Sequence, residues 1–498
     1  MATSPAARQT SHRVWGLAVA AIVIVAHLPA FFHRLLDGDE AIYASIAALM
    51  NLGGKLYAEG GVDNKPPGIF WVYAATFHVA GTYQMTAIHL VGLVVMLATC
   101  SLLFIIGRSV YGVRAGLLAV LIYGILTAAG NPRLLASNTE IFMMLPLTAS
   151  ILLMLRRRWL WSGTLLVAAG AFRQVAAVDL LLVPLAIVLM EPRDKRLRAS
   201  GMVVAGLAGG LVLAAALLAA TGSLVGFWDW TIGTLYGYAA LNWTPALVLM
   251  RSWDSVLPFA ATALVVWVAG VVFAWRWKHV PATAQLIVAW LVVSIPGSLA
   301  GGHLSWHYFI QVMAPLALLA AFAIDNALDG PRRRLVAGLA IAGLALPMAG
   351  WGAFDLVSDP LTYDFQAPVP AHQAVAAYIR NHTRPDDRVF VWGDWPALYV
   401  ESDRIMASRF PGFLRGFARG SALPPNNWDT SAAVWPALQA DLTQHPPALI
   451  VDTSASANWS DFSMYPMSDY PVLAQFVATA YHLTTTVDGV AIYSPNGS

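Results

Sequence analysis

The sequence predicts an α-helical polytopic membrane protein that ends in a C-terminal extracytoplasmic α/β domain. The first reason is composition. The 498 residues are 58% hydrophobic and only 11% charged, whereas soluble domains are about 25% charged, and the mean hydropathy is +0.63. The second is a series of apolar runs near the roughly 20 residues that a helix needs to cross a hydrocarbon core of about 30 Å. The third is a change of character after about residue 353, where the chain turns polar and Pro-rich with short strand-like runs.

Eleven such runs fall at 14–33, 84–107, 115–130, 141–155, 162–173, 175–190, 200–221, 256–275, 283–300, 308–327 and 334–352. Arg8 and Arg13 precede the first, as in a signal peptide, but that run passes straight into the richest polar motif of the chain and so reads as a retained helix. Runs 162–173 and 175–190 are short for a span unless tilted or facing a polar cavity. With the N-terminus in the cytoplasm, 16 Lys and Arg residues fall in cytoplasmic loops and 6 in the opposite ones, the asymmetry expected of short loops. The protein is thus expected to be a multi-pass cell-membrane protein. An odd number of spans puts residues 353–498 outside as a separate domain after a transmembrane domain at 1–352. In that tail 387–392, 448–451 and 490–493 read as strands and 372–380 as helix.

The net charge of +2 and the lack of a basic arm argue against a nucleic-acid partner. Cys100 is the only cysteine, so no disulfide framework or Cys-based metal site forms within one chain.

The polar residues concentrate in the outer loops. The first loop reads Leu36-Asp37-Gly38-Asp39-Glu40-Ala41-Ile42-Tyr43, and later Asp63-Asn64-Lys65-Pro66-Pro67-Gly68. Three carboxylates within four positions repel one another and are costly to desolvate. They suit an active-site base or, alternatively, the cap of a helix. The second loop runs from Asn131 through Arg133 to Asn138-Thr139-Glu140, where Glu140 suits a substrate contact and Asn138 or Thr139 a cap. Arg173 sits in a nearly continuous apolar stretch, where an arginine costs about 2.5–3.5 kcal/mol to insert and calls for a cavity or an anion. That anion belongs to a bound ligand, or is a structural partner such as Asp179 or a carboxylate of the first loop. His303 and His307, four residues apart, could lie on one helical face and ligate zinc, though without the Glu of a zinc-protease motif.

Asp-Gly-Asp-Glu-Ala-Ile-Tyr at 37–43 followed by Asn-Lys-Pro-Pro-Gly at 64–68 resembles the GT-C glycosyltransferases related to protein O-mannosyltransferases and lipid A aminoarabinose transferases, in their bacterial branch. Asn138-Thr139-Glu140, Arg173-Gln174, His307-Tyr308-Phe309 leading to Pro315, and the tail segments 388–393, Tyr399 and Ser408-Arg409-Phe410 extend the resemblance over the chain. It implies a GT-C fold of about 11 transmembrane helices and transfer of a single hexose or pentose, with inversion, from a polyprenyl-phosphate carrier. The topology agrees, since all these motifs come out external, where a donor must already have crossed the membrane. Glycolipid, cell-wall glycan and protein are all open as acceptors, and membrane lipids are the surrounding partners.

The chemistry then needs a base within reach of the acceptor hydroxyl. Asp39 is the first choice, Glu40 the second and Asp37 the third, with a structural role open for Asp37. Phosphate would be held by Lys65, Arg173, His307 and Tyr308, although an interfacial lysine such as Lys65 also snorkels to headgroups. Glu140, Asn138, Tyr43 and Arg133 are the candidates for substrate contacts. Many bacterial relatives have Arg near His303, which leaves the charge of that segment open. Asp37-Gly38-Asp39 matches the bare Asp-x-Asp metal motif of other glycosyltransferases, but a lipid monophosphate surrounded by basic residues does not require the metal. No cofactor is expected. Phe227, Trp228, Trp230, Tyr236, Tyr238, Trp243 and Trp253 are either a groove lining or an interfacial aromatic belt. A transporter or flippase is the competing class and would show inverted repeats, which the sequence does not display. A GT-C polymerase or ligase moving a preassembled glycan is a further alternative.

Overall fold

The computed structural model describes residues 5–235, 243–358, 360, 369–393, 395–412, 431–455 and 466–497. They divide into two compact units, the first made of Met1–Phe32, His89–Ala214 and Asn242–Val357, the second of His33–Ile88, Ala215–Leu241 and Ser358–Ser498.

The first unit is helical. Arg13–Phe31, Met85–Tyr111, Arg193–Ala220, Ala282–Leu299, Trp306–Leu328 and Arg333–Val357 are each long and apolar enough to span a bilayer, and Pro245–Thr262 with Leu264–Ala274 forms a pair bent by 75°. Val113–Leu126, Thr139–Leu155, Trp159–Gly170 and Gln174–Met190 are shorter apolar helices. Each of the apolar runs read from the sequence therefore corresponds to a helix or a bent pair. Trp306–Leu328 is 94% buried and Arg333–Val357 only 6%, so the former is the hub of the unit. Small residues bring helices close, as expected where lipid is as apolar as the interface. A Cβ on Gly107 would lie 2.8 Å from Gly116 Cα, and one on Gly163 2.5 Å from the Val203 carbonyl oxygen.

The segment after Arg173 departs from a plain span. Residues Gln174–Leu181 form a tight 3-10 turn run before the helix Leu182–Met190 begins, so here the backbone is irregular within an apolar stretch. Such backbone is tolerated where protein surrounds it, and Asp179 within it is fully buried.

The second unit joins the first outer loop to the sheet domain. Helices Gly38–Asn51 and Gly68–Ala80 flank the motif loop. Strands β1 (Arg388–Trp392), β2 (Ile405–Met406), β3 (Leu449–Asp452), β4 (Tyr481–Val487) and β5 (Val490–Pro495) form one sheet in the order β2-β1-β3-β5-β4. The β2-β1-β3 side is parallel and the β3-β5-β4 side antiparallel. The short, fully buried run of β3 and the burial of all but the first residue of β1 suit strands covered on both faces. Val62 from the first loop packs in one core with Phe390, Trp392, Phe410 and Ile450, and its N–H donates to the Arg409 carbonyl at 3.1 Å. Arg34 pairs with Asp403, and Tyr83 Oη donates to the Arg404 carbonyl at 3.2 Å. Gly54 and Gly60 meet within the loop so closely that a Cβ on Gly54 would be 2.5 Å from Gly60 Cα.

Candidate active site

In the second unit the three carboxylates of the first loop separate into different jobs. Asp37 is the N-cap of helix Gly38–Asn51, its carboxylate accepting from the Asp39 N–H at 3.2 Å. Glu40 is fully buried and reaches back to accept from the Leu36 N–H at 2.8 Å, so both satisfy backbone donors at the helix start. Asp39 lies in the first turn with 25% of its side chain exposed, and Lys65 Nζ is 3.6 Å from its Oδ2. Tyr43, one turn on, donates its hydroxyl to the same Oδ2 at 3.2 Å. Its ring is buried edge-on against Phe70 and Tyr73. Tyr43, expected to touch substrate, is thus hydrogen-bonded to Asp39.

Lys65 is held from its backbone. Its carbonyl accepts from the Tyr57 hydroxyl at 2.7 Å and the Thr231 hydroxyl at 3.3 Å, and its N–H donates to Asp63 Oδ1 at 2.8 Å. Pro66 and Pro67 then fix the entry to helix Gly68–Ala80. Burial raises the Tyr57 pKa well above the usual phenol range, so the hydroxyl stays a donor. The Lys65 side chain is 11% exposed and turned to Asp39, an arrangement unlike a lysine snorkelling to headgroups. Sequence reading missed Tyr57 and Thr231 because each meets Lys65 through its carbonyl, a contact that no local spacing announces.

The first unit holds the other polar group. Arg173 pairs with Glu140, with 8% and 1% of their side chains exposed, and its guanidinium carbon lies 3.7 Å over the Tyr308 ring. His307 Nε2 is 3.9 Å from Glu140 Oε1. The anion that the structure places against Arg173 is Glu140 of the second outer loop, a partner the sequence reading did not weigh, in the first turn of helix Thr139–Leu155. Asp179 does not pair with it and instead accepts from Gln311 Nε2 at 2.8 Å through Oδ2. Gly297 makes room for that amide, since a Cβ there would be 2.8 Å from Gln311 Nε2. Asn138 is at the N-cap position of the same helix as Glu140 and is buried, without a side-chain capping bond. Arg133 lies in the short 3-10 turn Pro132–Leu134, its N–H accepted by the Asn131 side chain at 3.1 Å.

The expected helical face shared by His303 and His307 does not form. Gly302 and Leu304 have φ of 67° and 54°, which breaks any helix there, and His303 Nδ1 bonds Ser305 Oγ at 3.0 Å. Of the aromatic stretch, Phe227 packs edge-on against Tyr57 and Trp230 against Phe410, whereas Trp228 and Trp253 are 65% and 71% exposed. Trp243 Nε1 donates to the Ala300 carbonyl at 3.0 Å. Tyr236 and Tyr238 lie outside the described residues.

The profile of the dolichyl-phosphate-mannose-protein mannosyltransferase family matches residues 64–219. Among solved structures, the chain is similar to ArnT from Cupriavidus metallidurans bound to undecaprenyl phosphate, with a TM-score of 0.64 at 14% identity over 97% of this chain and 98% of that one. The chain has the GT-C fold. The family match covers residues 64–219, under a third of the 498, and the likeness to solved structures is one of fold. A second GT-C structure, the archaeal oligosaccharyltransferase AglB from Archaeoglobus fulgidus in complex with an inhibitory peptide and a dolichol-phosphate, has a TM-score of 0.58 at 10% identity over 97% of this chain and 74% of that one. No curated protein sequence matches the chain. Both GT-C motif segments of the first loop lie in the second unit, and the family match begins at Asn64, next to Lys65.

Proposed function

We propose that the chain transfers a single sugar from a polyprenyl-phosphate carrier to an acceptor hydroxyl on the extracytoplasmic face, with inversion and without a metal ion. The observation that carries this reading is Asp39, the one of the three carboxylates at 37–40 that is neither a cap nor fully buried, held by Tyr43 and Lys65. Asp39 takes the proton of the acceptor hydroxyl while that oxygen attacks the anomeric carbon. The bond from that carbon to the phosphate oxygen breaks, and the carrier leaves as polyprenyl monophosphate. The leaving phosphate gains negative charge, which fixed cations and donors stabilise.

Lys65 supplies such a cation. The resemblance assigns phosphate binding to Arg173, His307 and Tyr308 of the first unit as well, and one carboxylate and one ring face occupy only part of the five-donor Arg173 guanidinium. Glu140 fixes the arginine, and Asn138 and Arg133 are assigned to substrate hydroxyls.

The test is transfer from a panel of labelled polyprenyl-phosphate sugars to membrane acceptors by purified protein in EDTA. Wild type is expected to transfer and Asp39→Asn to lose about 10²–10⁴-fold while eluting as a folded monodisperse protein. Full activity in Asp39→Asn removes Asp39 as the base. Transfer that appears only with divalent metal overturns the metal-free mechanism, and transfer only from preassembled lipid-linked glycans moves the chain to the ligase class.

A further inference from the structure

A polar cavity of about 240 Å³ lies within the second unit, between the end of helix Gly38–Asn51 with its following loop and the sheet domain. None of its lining residues belongs to the Asp39 cluster. At about 30 Å³ per water it has room for a monosaccharide but not for a lipid chain or a long glycan.

Its charges are unevenly satisfied. Arg409 is neutralised by Asp441 in a two-pronged pair, Nε to Oδ2 at 2.9 Å and a terminal nitrogen to Oδ1 at 2.7 Å. Arg388, the first residue of β1, lines the same cavity half-buried, and its guanidinium makes no hydrogen bond or ion pair among the described residues. Burial lowers its pKa, the mark of a cation taken from water without full compensation. Neutral donors and acceptors stand beside it. Gln444 and His445 end one wall, and buried Ser408 accepts the Phe410 N–H at 3.0 Å, which leaves its hydroxyl proton to donate elsewhere. Burial and the charge of Arg388 push the His445 pKa down, so its ring is neutral and can donate or accept. Glu59, an exposed carboxylate, lines the cavity on the Arg409 side and is the second acidic residue of the lining beside Asp441.

We propose that this cavity is a second ligand site, for a monosaccharide-sized group bearing one anion, a carboxylate or a phosphate, with Arg388 as its counter-ion. Arginine matches both anions with paired N–H donors, while the amide, imidazole and hydroxyl groups suit the hydroxyls of a sugar. The site is independent of the transfer chemistry and is tested by binding alone.

The experiment uses the full chain in phosphatidylcholine nanodiscs, titrated with glucuronate, glucose 6-phosphate and glucose by ligand-detected saturation-transfer NMR. The two anionic sugars are expected to bind at least about tenfold more tightly than glucose. Arg388→Gln is expected to remove that preference, and Asp39→Asn to keep it. A second measurement does not rely on the folding of a variant: phenylglyoxal modification of Arg388 in the wild-type chain, read by peptide mass spectrometry, should slow when either anionic sugar is present. Equal binding of glucose and the anions, or modification of Arg388 at the same rate with and without them, overturns the proposal. Protection by phosphatidylglycerol in the disc but by neither soluble anion would overturn the sugar ligand and give the anion site to a lipid headgroup. Loss of the Asp39 dependence of transfer would sink the catalytic reading and leave this binding result standing.

Discussion

Asp39 differs from its neighbours by what surrounds it. Asp37 and Glu40 are occupied by backbone N–H groups, while Asp39 keeps partial exposure and two side-chain neighbours that set its direction. Tyr43→Phe removes one hydrogen bond from it without changing the ring packing, and the transfer rate at saturating donor is expected to fall by about tenfold or less, the size of a single net hydrogen bond. Lys65→Met removes a charge and is expected to cost about 10²-fold or more, while the backbone bonds to Tyr57 and Thr231 keep the loop folded. Equal losses in the two variants would mean that Lys65 acts only by orienting Asp39. The acidic motif and Lys65 were legible in the sequence because their types and order are unusual beside an apolar run. The division of labour among the carboxylates was not, since it depends on which of them reaches a backbone N–H once helix Gly38–Asn51 starts at Gly38.

At the scale of elements, the buried pair of Arg173 and Glu140 ties the turn after Trp159–Gly170 to the start of helix Thr139–Leu155. Removing one member of a buried pair leaves a charge without compensation and costs about 3–5 kcal/mol. Glu140→Gln and Arg173→Gln are each expected to lower the thermal inactivation midpoint in detergent strongly, and the double variant by less than the two losses together. Additive losses would show that the two side chains do not stabilise each other. The apolar runs revealed these helices because spanning length and hydrophobicity are properties of the local sequence. The 3-10 course of Gln174–Leu181 was hidden, because what stabilises it includes the bond from Gln311 to Asp179, between residues 132 positions apart. The short strands β2 and β4 escaped for a similar reason. β2 has two residues and among the described residues pairs with β1 alone, and β4 is largely exposed apart from its first residue.

For the whole molecule, the asymmetry of Lys and Arg predicts that the sheet domain lies outside, and the proposed donor rests on that prediction. Cys100 is buried, so a Cys100→Ala background gives clean single-cysteine reporters. Thr484→Cys lies on an exposed part of β4, and Asp194→Cys in the exposed 3-10 turn Arg193–Lys195 at the basic start of the helix that follows. Replacing an aspartate hardly alters the topological signal, which rests on Lys and Arg. In intact spheroplasts, a membrane-impermeant maleimide should label Thr484→Cys at once and Asp194→Cys only after the membrane is opened. The reverse pattern would put the Asp39 loop, which shares a unit with the sheet domain, on the cytoplasmic side. Soluble nucleotide sugars reach that side, so the case for a lipid-linked donor would lose its topological support even though the GT-C fold would stand. The labelling experiment thus separates what the fold carries from what the charge asymmetry adds to it.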